Sequence, residues 1–183
     1  MSYREALVKA WLDLEEATKD KKFSLKLLSD TYEIDAEENR ILSLSCNAQA
    51  QDHVSILLLH YLAKKIKGLP PASGEWISFR ELDGGEGYFA AFKKRVIERI
   101  SRKHGKNPEG LFTLAKRFAA QKSDMVANGL IIDVLDQVPV LITLEPADEE
   151  FGPEANVLFD KNIKDIFCTE DVVVLAEFVA SQL

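Results

Sequence analysis

Six carboxylates gathered in the C-terminal part of this 183-residue chain, Asp148, Glu149, Glu150, Asp160, Glu170 and Asp171, could do metal chemistry. Their oxygens suit a hard divalent cation. With Asp148, Glu149 and Asp160 as ligands, such a cation would activate water for hydrolysis. The stretch lacks the periodicity of a calcium loop, however, and no histidine is near it in sequence. Thr169 followed by Glu170 and Asp171 also reads as a helix N-cap with acids in the first turn. The histidines support no metal site. His53 and His60 are seven apart on one predicted helix face, two turns or about 10.5 Å along the axis, whereas i, i+4 pairs share a zinc ion readily. His60 stands among leucines and reads as a core histidine whose polar needs are met. His104 ends a helix among lysines, where positive charge suits the helix dipole. Cys46 and Cys168 are far apart and form no C-x-x-C pair. That fits a reducing cytosol and supplies no zinc or iron–sulfur ligand set. No cofactor follows from these residues.

The other chemical candidate is "GEWISFRELDGGEGYFAAF", Gly74 to Phe92. Read as an anion seat, glycines before a helix leave backbone N–H groups open, and Arg80 adds a bidentate clamp. The candidate ligand-binding residues are then Arg80, Gly84, Gly85 and Tyr88. Glu81, Asp83 and Glu86 crowd the same loop with negative charge, and the glycine spacing fits neither the phosphate-binding nor the dinucleotide pattern. Read structurally, Ser78 and Glu81 form a capping box. Gly84 then ends the turn in the left-handed conformation, and Gly85 to Gly87 launch a helix. A strand with Ile77 and Phe79 on one side and Trp76, Ser78 and Arg80 on the other is equally compatible.

The net charge of −7 hides a layout. Lys93 to Lys122 holds ten basic residues against two acids, a net of +8, and Glu145 to the end holds ten acids against two lysines, a net of −8. Both segments could be solvated helix faces. The basic one could instead dock an anionic partner, or the two could face each other within a chain or across a dimer. The last reading places helix Phe89–Lys103 near the acidic loop around Glu149 and Glu150.

The elements that would position these residues follow from periodicity. A helix is predicted from about Tyr3 to Lys19, with Leu7, Ala10, Trp11, Leu14 and Ala17 on one face. "FSLKLL", "TYEID" and "RILSLS" read as a three-stranded meander. A helix beginning at Asp52 as N-cap and stopped by Gly68 is apolar nearly all round, so it should be buried, with Leu57, Leu58, Tyr61 and Leu62 inside. A second long helix runs from about Gly87 to His104, with Tyr88, Phe92, Val96 and Ile100 as its buried stripe. "PEGLFTLAKRFAAQ" is a shorter helix with Pro108 in its first turn. "GLIIDVLDQVPVLITLEP" reads as two strands joined near Asp136–Gln137, with Pro139 at an edge or a strand start. "ADEEFGPEANVLFDKN" reads as an irregular acidic loop before a final helix from about Glu170. Grouped strands point to a single α+β domain over 1–183. Its sheet is mainly antiparallel, of about five or more strands, packed with a buried central helix and several further helices.

"LLLHYL", "GEWISFREL–GG–Y–AF", "DEEFGPEANVLFD" and "TEDV", in that order, resemble an uncharacterised domain family of anaerobic bacteria and archaea. The resemblance runs from about Phe23 onward. Some members of that family follow an iron–sulfur domain like that of corrinoid iron–sulfur proteins. The resemblance implies a setting in anaerobic one-carbon or corrinoid metabolism, but this chain has no cysteine-rich module and so no basis for a cluster of its own.

The function expected is a non-catalytic binding or accessory module in the cytoplasm of an anaerobe. The alternative is a divalent-cation-dependent hydrolase using the loop carboxylates. A protein partner or a small anionic ligand fits the charge layout, as does a homodimer. Nucleic acid does not, because the acidity outside the basic window repels it. No apolar run is long enough to span a bilayer; "ILLLHYLA" is too short. The amino terminus lacks the central apolar run of a secretory signal.

Overall fold

A computed structural model describes residues 3–126, 128–147 and 151–183. Helix α1 (Tyr3–Ala17) buries Ala10, Trp11 and Leu14, the apolar positions spaced for one face. Strands β1 (Lys22–Leu27), β2 (Asp30–Asp35), β3 (Arg40–Ser43) and β4 (Ala48–Gln49) follow as an antiparallel meander, the fourth a two-residue addition to the three expected. Leu25, Leu27, Tyr32, Ile34 and Ile41 alternate onto its buried face. Helix α2 (Asp52–Lys67) then packs on α1. Leu57, Leu58, Tyr61 and Leu62 are buried as expected, each contributing about 1.5–3 kcal/mol if an aliphatic side chain is the guide. The N-cap is Gln51; Asp52 instead occupies the first turn, where its charge meets the positive end of the dipole. Gly68 ends the helix with φ 107°.

The second sheet has the order β5-β9-β8-β7-β6 and is antiparallel throughout. Its strands are β5 (Trp76–Ser78), β6 (Gln121–Lys122), β7 (Gly129–Leu135), β8 (Val138–Glu145) and β9 (Glu154–Asp160). One expectation changes here, and one is met in one of its two forms. "EANVLFD" is an interior strand, not an irregular loop: Ala155, Val157 and Phe159 alternate inward, and the acids at its two ends mask that period. Pro139 lies at the start of β8, as one of the two expected placements had it; the strand is interior, but its pairing with β9 begins only at Val140. Pro139 faces Asp133, next to the point where the β7–β8 register shifts.

The long helical run is α3 (Gly85–Phe92), a π segment (Lys93–Ile97) and α4 (Glu98–His104), with helical backbone across both joints. Phe92, Val96 and Ile100 form a buried stripe, but Tyr88 is 60% exposed. In the α-helical part the inward face runs through Gly85 and Phe92, with Phe89 half-buried between them. A strict spacing of four fits only where the π turn widens the helix. Next come α5 (Pro108–Ala115), capped by the Asn107 side chain, and a 3-10 turn (Lys116–Phe118). This helix ends earlier than predicted, since Gln121 already belongs to β6. Helices α6 (Ile163–Ile166) and α7 (Thr169–Gln182) close the chain, α7 packing on α2. The architecture is α+β, and one continuous apolar cluster takes residues from both sheets and from α1, α2 and α7.

Candidate functional site

The two sheets meet where the N–H of Leu28 donates to the Val134 carbonyl at 2.8 Å. Val134 sits at the register shift in β7, so the bulge that bends this strand also presents an acceptor to the other sheet. Beside this joint lies a cleft of about 450 Å³. Ser24, Lys26 and Leu28 line it from the first sheet; Asp133, Val134 and Gln137 from the second; Tyr61 and Lys65 from α2; and Phe118 and Ala119 from the turn after α5.

The backbone around the cleft is strained. Among the described residues, six that are not glycine have positive φ. Asn39, Asn47 and Asn128 are asparagines, which tolerate that region. The other three, Leu28 (54°), Ala119 (54°) and Gln137 (61°), all line this cleft. Leu28 and Gln137 lie in the tight turns of the β1–β2 and β7–β8 hairpins, where a glycine would relieve the strain. Their side chains explain part of the choice. Leu28 is buried in the core, and Gln137 Oε1 accepts from the Ala72 N–H at 2.9 Å.

The second turn is held from α2. Tyr61 donates its hydroxyl to the Asp136 carbonyl at 2.9 Å, and Lys65 Nζ lies 3.1 Å from Asp136 Oδ2. Burial first, and the Asp136 charge second, push the Tyr61 phenol above its ordinary range, so it stays a protonated donor. A second hollow of about 370 Å³ shares Lys65, Asp136 and Gln137 with the cleft. Lys26 and Asp133 differ from the lysine and aspartate just described. Among the described residues, neither side chain has a hydrogen-bond or ion-pair partner.

The glycine loop is arranged differently. The Ser78 N–H donates to Glu81 Oε2 at 2.7 Å, completing the capping box, so the capping reading holds; the strand reading holds only for Trp76–Ser78, because Phe79 and Arg80 already belong to the 3-10 turn (Phe79–Glu81). Gly84 is left-handed, with φ 70°. Gly85 has ordinary φ, but a Cβ there would overlap the Phe79 carbonyl oxygen. Arg80 pairs with Glu86 at 3.0 Å and stacks 3.8 Å over the Phe89 ring. Tyr88, one turn along α3, points to solvent.

Of the carboxylates proposed as cation ligands, the described ones, Asp160, Glu170 and Asp171, belong to no cluster placed to hold a metal. Asp160 accepts from the Ser73 hydroxyl at 3.0 Å, the Gly74 N–H at 2.8 Å and the Asn162 N–H at 2.9 Å. Burial works to raise its pKa, but these bonds outweigh burial and hold it below the ordinary carboxylate value. Asp148, Glu149 and Glu150 lie outside the described residues. Among the described residues there is no group of three or more His, Cys, Asp or Glu placed to hold a metal. Cys168, not Thr169, is the N-cap position of α7.

His104 ends α4 as expected, and His60 has its polar needs met but is not a core residue. His60 is partly exposed, and its Nδ1 lies 2.9 Å from Asp171 Oδ2. Cys168 Sγ donates to the same oxygen at 3.2 Å. Here the acid stands between thiol and imidazole. Partial desolvation of the sulfur first, together with the Asp171 charge, pushes the thiol up although Cys168 as a residue is exposed, so no thiolate–imidazole pair forms. His104 is buried, with Nε2 2.7 Å from the Leu183 carbonyl oxygen, so that nitrogen is the donor.

These features sit in a chain whose residues 10–182 match one family model, described as Domain of unknown function (DUF3786). The chain belongs to that family. No curated protein and no solved structure matches it. DUF3786 membership thus covers both sheets and the cleft between them, while the family description assigns no ligand or reaction. No helix among the described residues is long and apolar enough to cross a membrane.

Proposed function

We propose that this DUF3786 chain is a non-catalytic binding module that holds a small polar acid, of the amino-acid or hydroxy-acid class, in the cleft between its sheets. The observation that carries this reading is the gathering of Leu28, Ala119 and Gln137 around one cleft. A non-glycine residue held left-handed costs about 1–3 kcal/mol, and such strain clusters at ligand clamps and active sites. Lys26 offers a carboxylate a cation with no competing partner among the described residues. Asp133 accepts from the ligand's ammonium or hydroxyl group, and Phe118 and Leu28 cover its carbon skeleton. From the family resemblance alone we read the setting as cytosolic anaerobic metabolism, of the one-carbon or corrinoid-related kind.

A ligand at Arg80, Gly84, Gly85 and Tyr88 is a weaker reading, because it would have to take Arg80 from both Glu86 and Phe89. The hydrolase reading gains nothing from Asp160, whose oxygens already accept three donors. Thermal-shift titration with a panel of amino acids, hydroxy acids, dicarboxylates and nucleotides tests the proposal. An amino or hydroxy acid should stabilise the protein, and Ser24→Trp, which fills the cleft from an exposed strand position, should abolish the response. A panel with no response, or one that survives Ser24→Trp, removes the cleft from consideration.

A further inference from the structure

On another part of the molecule, Lys94, Arg95, Arg99 and Arg102 line one shallow depression of about 280 Å³, with Glu177 of α7 as its acid. The four cations come from the π segment and α4. Arg95, Arg99 and Arg102 follow one another at i, i+4 and i+7, so their like charges are stacked on one face. Glu177 answers one of them, lying 3.2 Å from Arg95. The helix dipole favours Arg102, in the last turn, but gives no such help to Lys94 and Arg95, mid-run. Glu98, four residues before Arg102, offsets part of this repulsion, and the remainder works against the helix unless something anionic covers the face.

We infer that this face docks an acidic segment of a partner protein. The stripe spans about 12 Å along the helix and is open rather than enclosed, which suits a run of carboxylates better than a single small anion. Arginine forks take carboxylates two oxygens at a time. The chain's net charge of −7 opposes a long polyanion such as nucleic acid at distance, while a short acidic segment feels chiefly the local field.

Fluorescence anisotropy with a labelled hexaglutamate peptide tests this, with Arg99→Glu/Arg102→Glu as the first variant and circular dichroism to check its fold. Reversal should weaken binding by at least tenfold, roughly 1.4 kcal/mol. Lys64→Glu/Lys67→Glu makes the same change in net charge on α2 and should leave binding within about twofold, a fraction of that energy. Glu177→Gln frees Arg95 without reversing any cation and should tighten binding, which keeps the test decisive if the first variant does not fold. The inference is overturned if the peptide does not bind, if both double reversals weaken binding equally, or if Glu177→Gln leaves it unchanged. It is also overturned if a 12-nucleotide single strand binds the same face more tightly than the peptide.

Discussion

The His60 ring nitrogen Nδ1 lies 2.9 Å from the buried Asp171 carboxylate and joins α2 to the first turn of α7. The hydrogen bond to Asp171 raises the His60 pKa above its ordinary 6.5; burial works against that rise, the charges of Asp171 and Asp13 add to it, and Lys9 opposes it. A folded-state pKa above the unfolded one stabilises the protein fully below the unfolded value. That contribution fades as pH rises through the folded one. Urea midpoints should therefore fall as pH increases above about 6.5, the unfolded value. His60→Gln should remove this slope. The same slope in the variant would assign it to another group.

Gly84 and Gly85 are glycines for different reasons, and alanine should tell them apart. At Gly84, with φ 70°, alanine should cost about 1 kcal/mol through backbone strain alone. At Gly85 the added carbon meets the rigid Phe79 carbonyl, so the loop must shift and the cost should be larger, about 2 kcal/mol or more. Chemical denaturation gives both values. The reverse order would mean that the close approach at Gly85 relaxes freely.

Most of the architecture is legible in single residues and their spacing. Ser78 with Glu81, Pro108 after Asn107, and Gly68 after α2 mark their boundaries because capping is local chemistry. Strand β9 is hidden because its alternation is framed by acids, and an acidic stretch with a proline reads as a loop. The cleft is hidden for a deeper reason. Leu28, Ala119 and Gln137 carry no sequence mark of left-handed backbone, since the tertiary structure imposes it. The partnership of His60 with Asp171 spans 111 residues and could not be read from order along the chain.

Ala119 tests the strain directly. Its side chain is exposed at the rim of the cleft, so glycine there removes little packing. Left-handed alanine costs about 1–2 kcal/mol, and glycine's greater unfolded freedom returns about 0.5–1 kcal/mol of that. Ala119→Gly should thus stabilise the unliganded protein modestly, by about 0.5–1 kcal/mol. An unchanged or lowered urea midpoint would show that the φ of 54° is not a source of strain.

The charge layout gives the last prediction. The acids Glu149 and Glu150, expected beside helix Phe89–Lys103, lie outside the described residues. The basic run does meet the acidic segment elsewhere: Arg95 reaches Glu177, and Ser101 Oγ accepts from the Ala155 N–H at 3.0 Å. Arg95 and Glu177 are both substantially exposed, so their pair alone contributes only about 0–1 kcal/mol. Glu177→Lys does more than break that pair, because it adds a fifth cation to the depression formed by Lys94, Arg95, Arg99 and Arg102. Exposed repulsion of this kind is screened over about 8–10 Å at moderate salt. The variant should therefore melt below the wild type at low ionic strength and recover most of the difference in about 1 M salt, where the screening length is near 3 Å. The wild type should gain a smaller increment in the same comparison. If the deficit of Glu177→Lys is the same at both salt concentrations, Glu177 matters to α7 through packing, and the basic stripe is not under electrostatic strain.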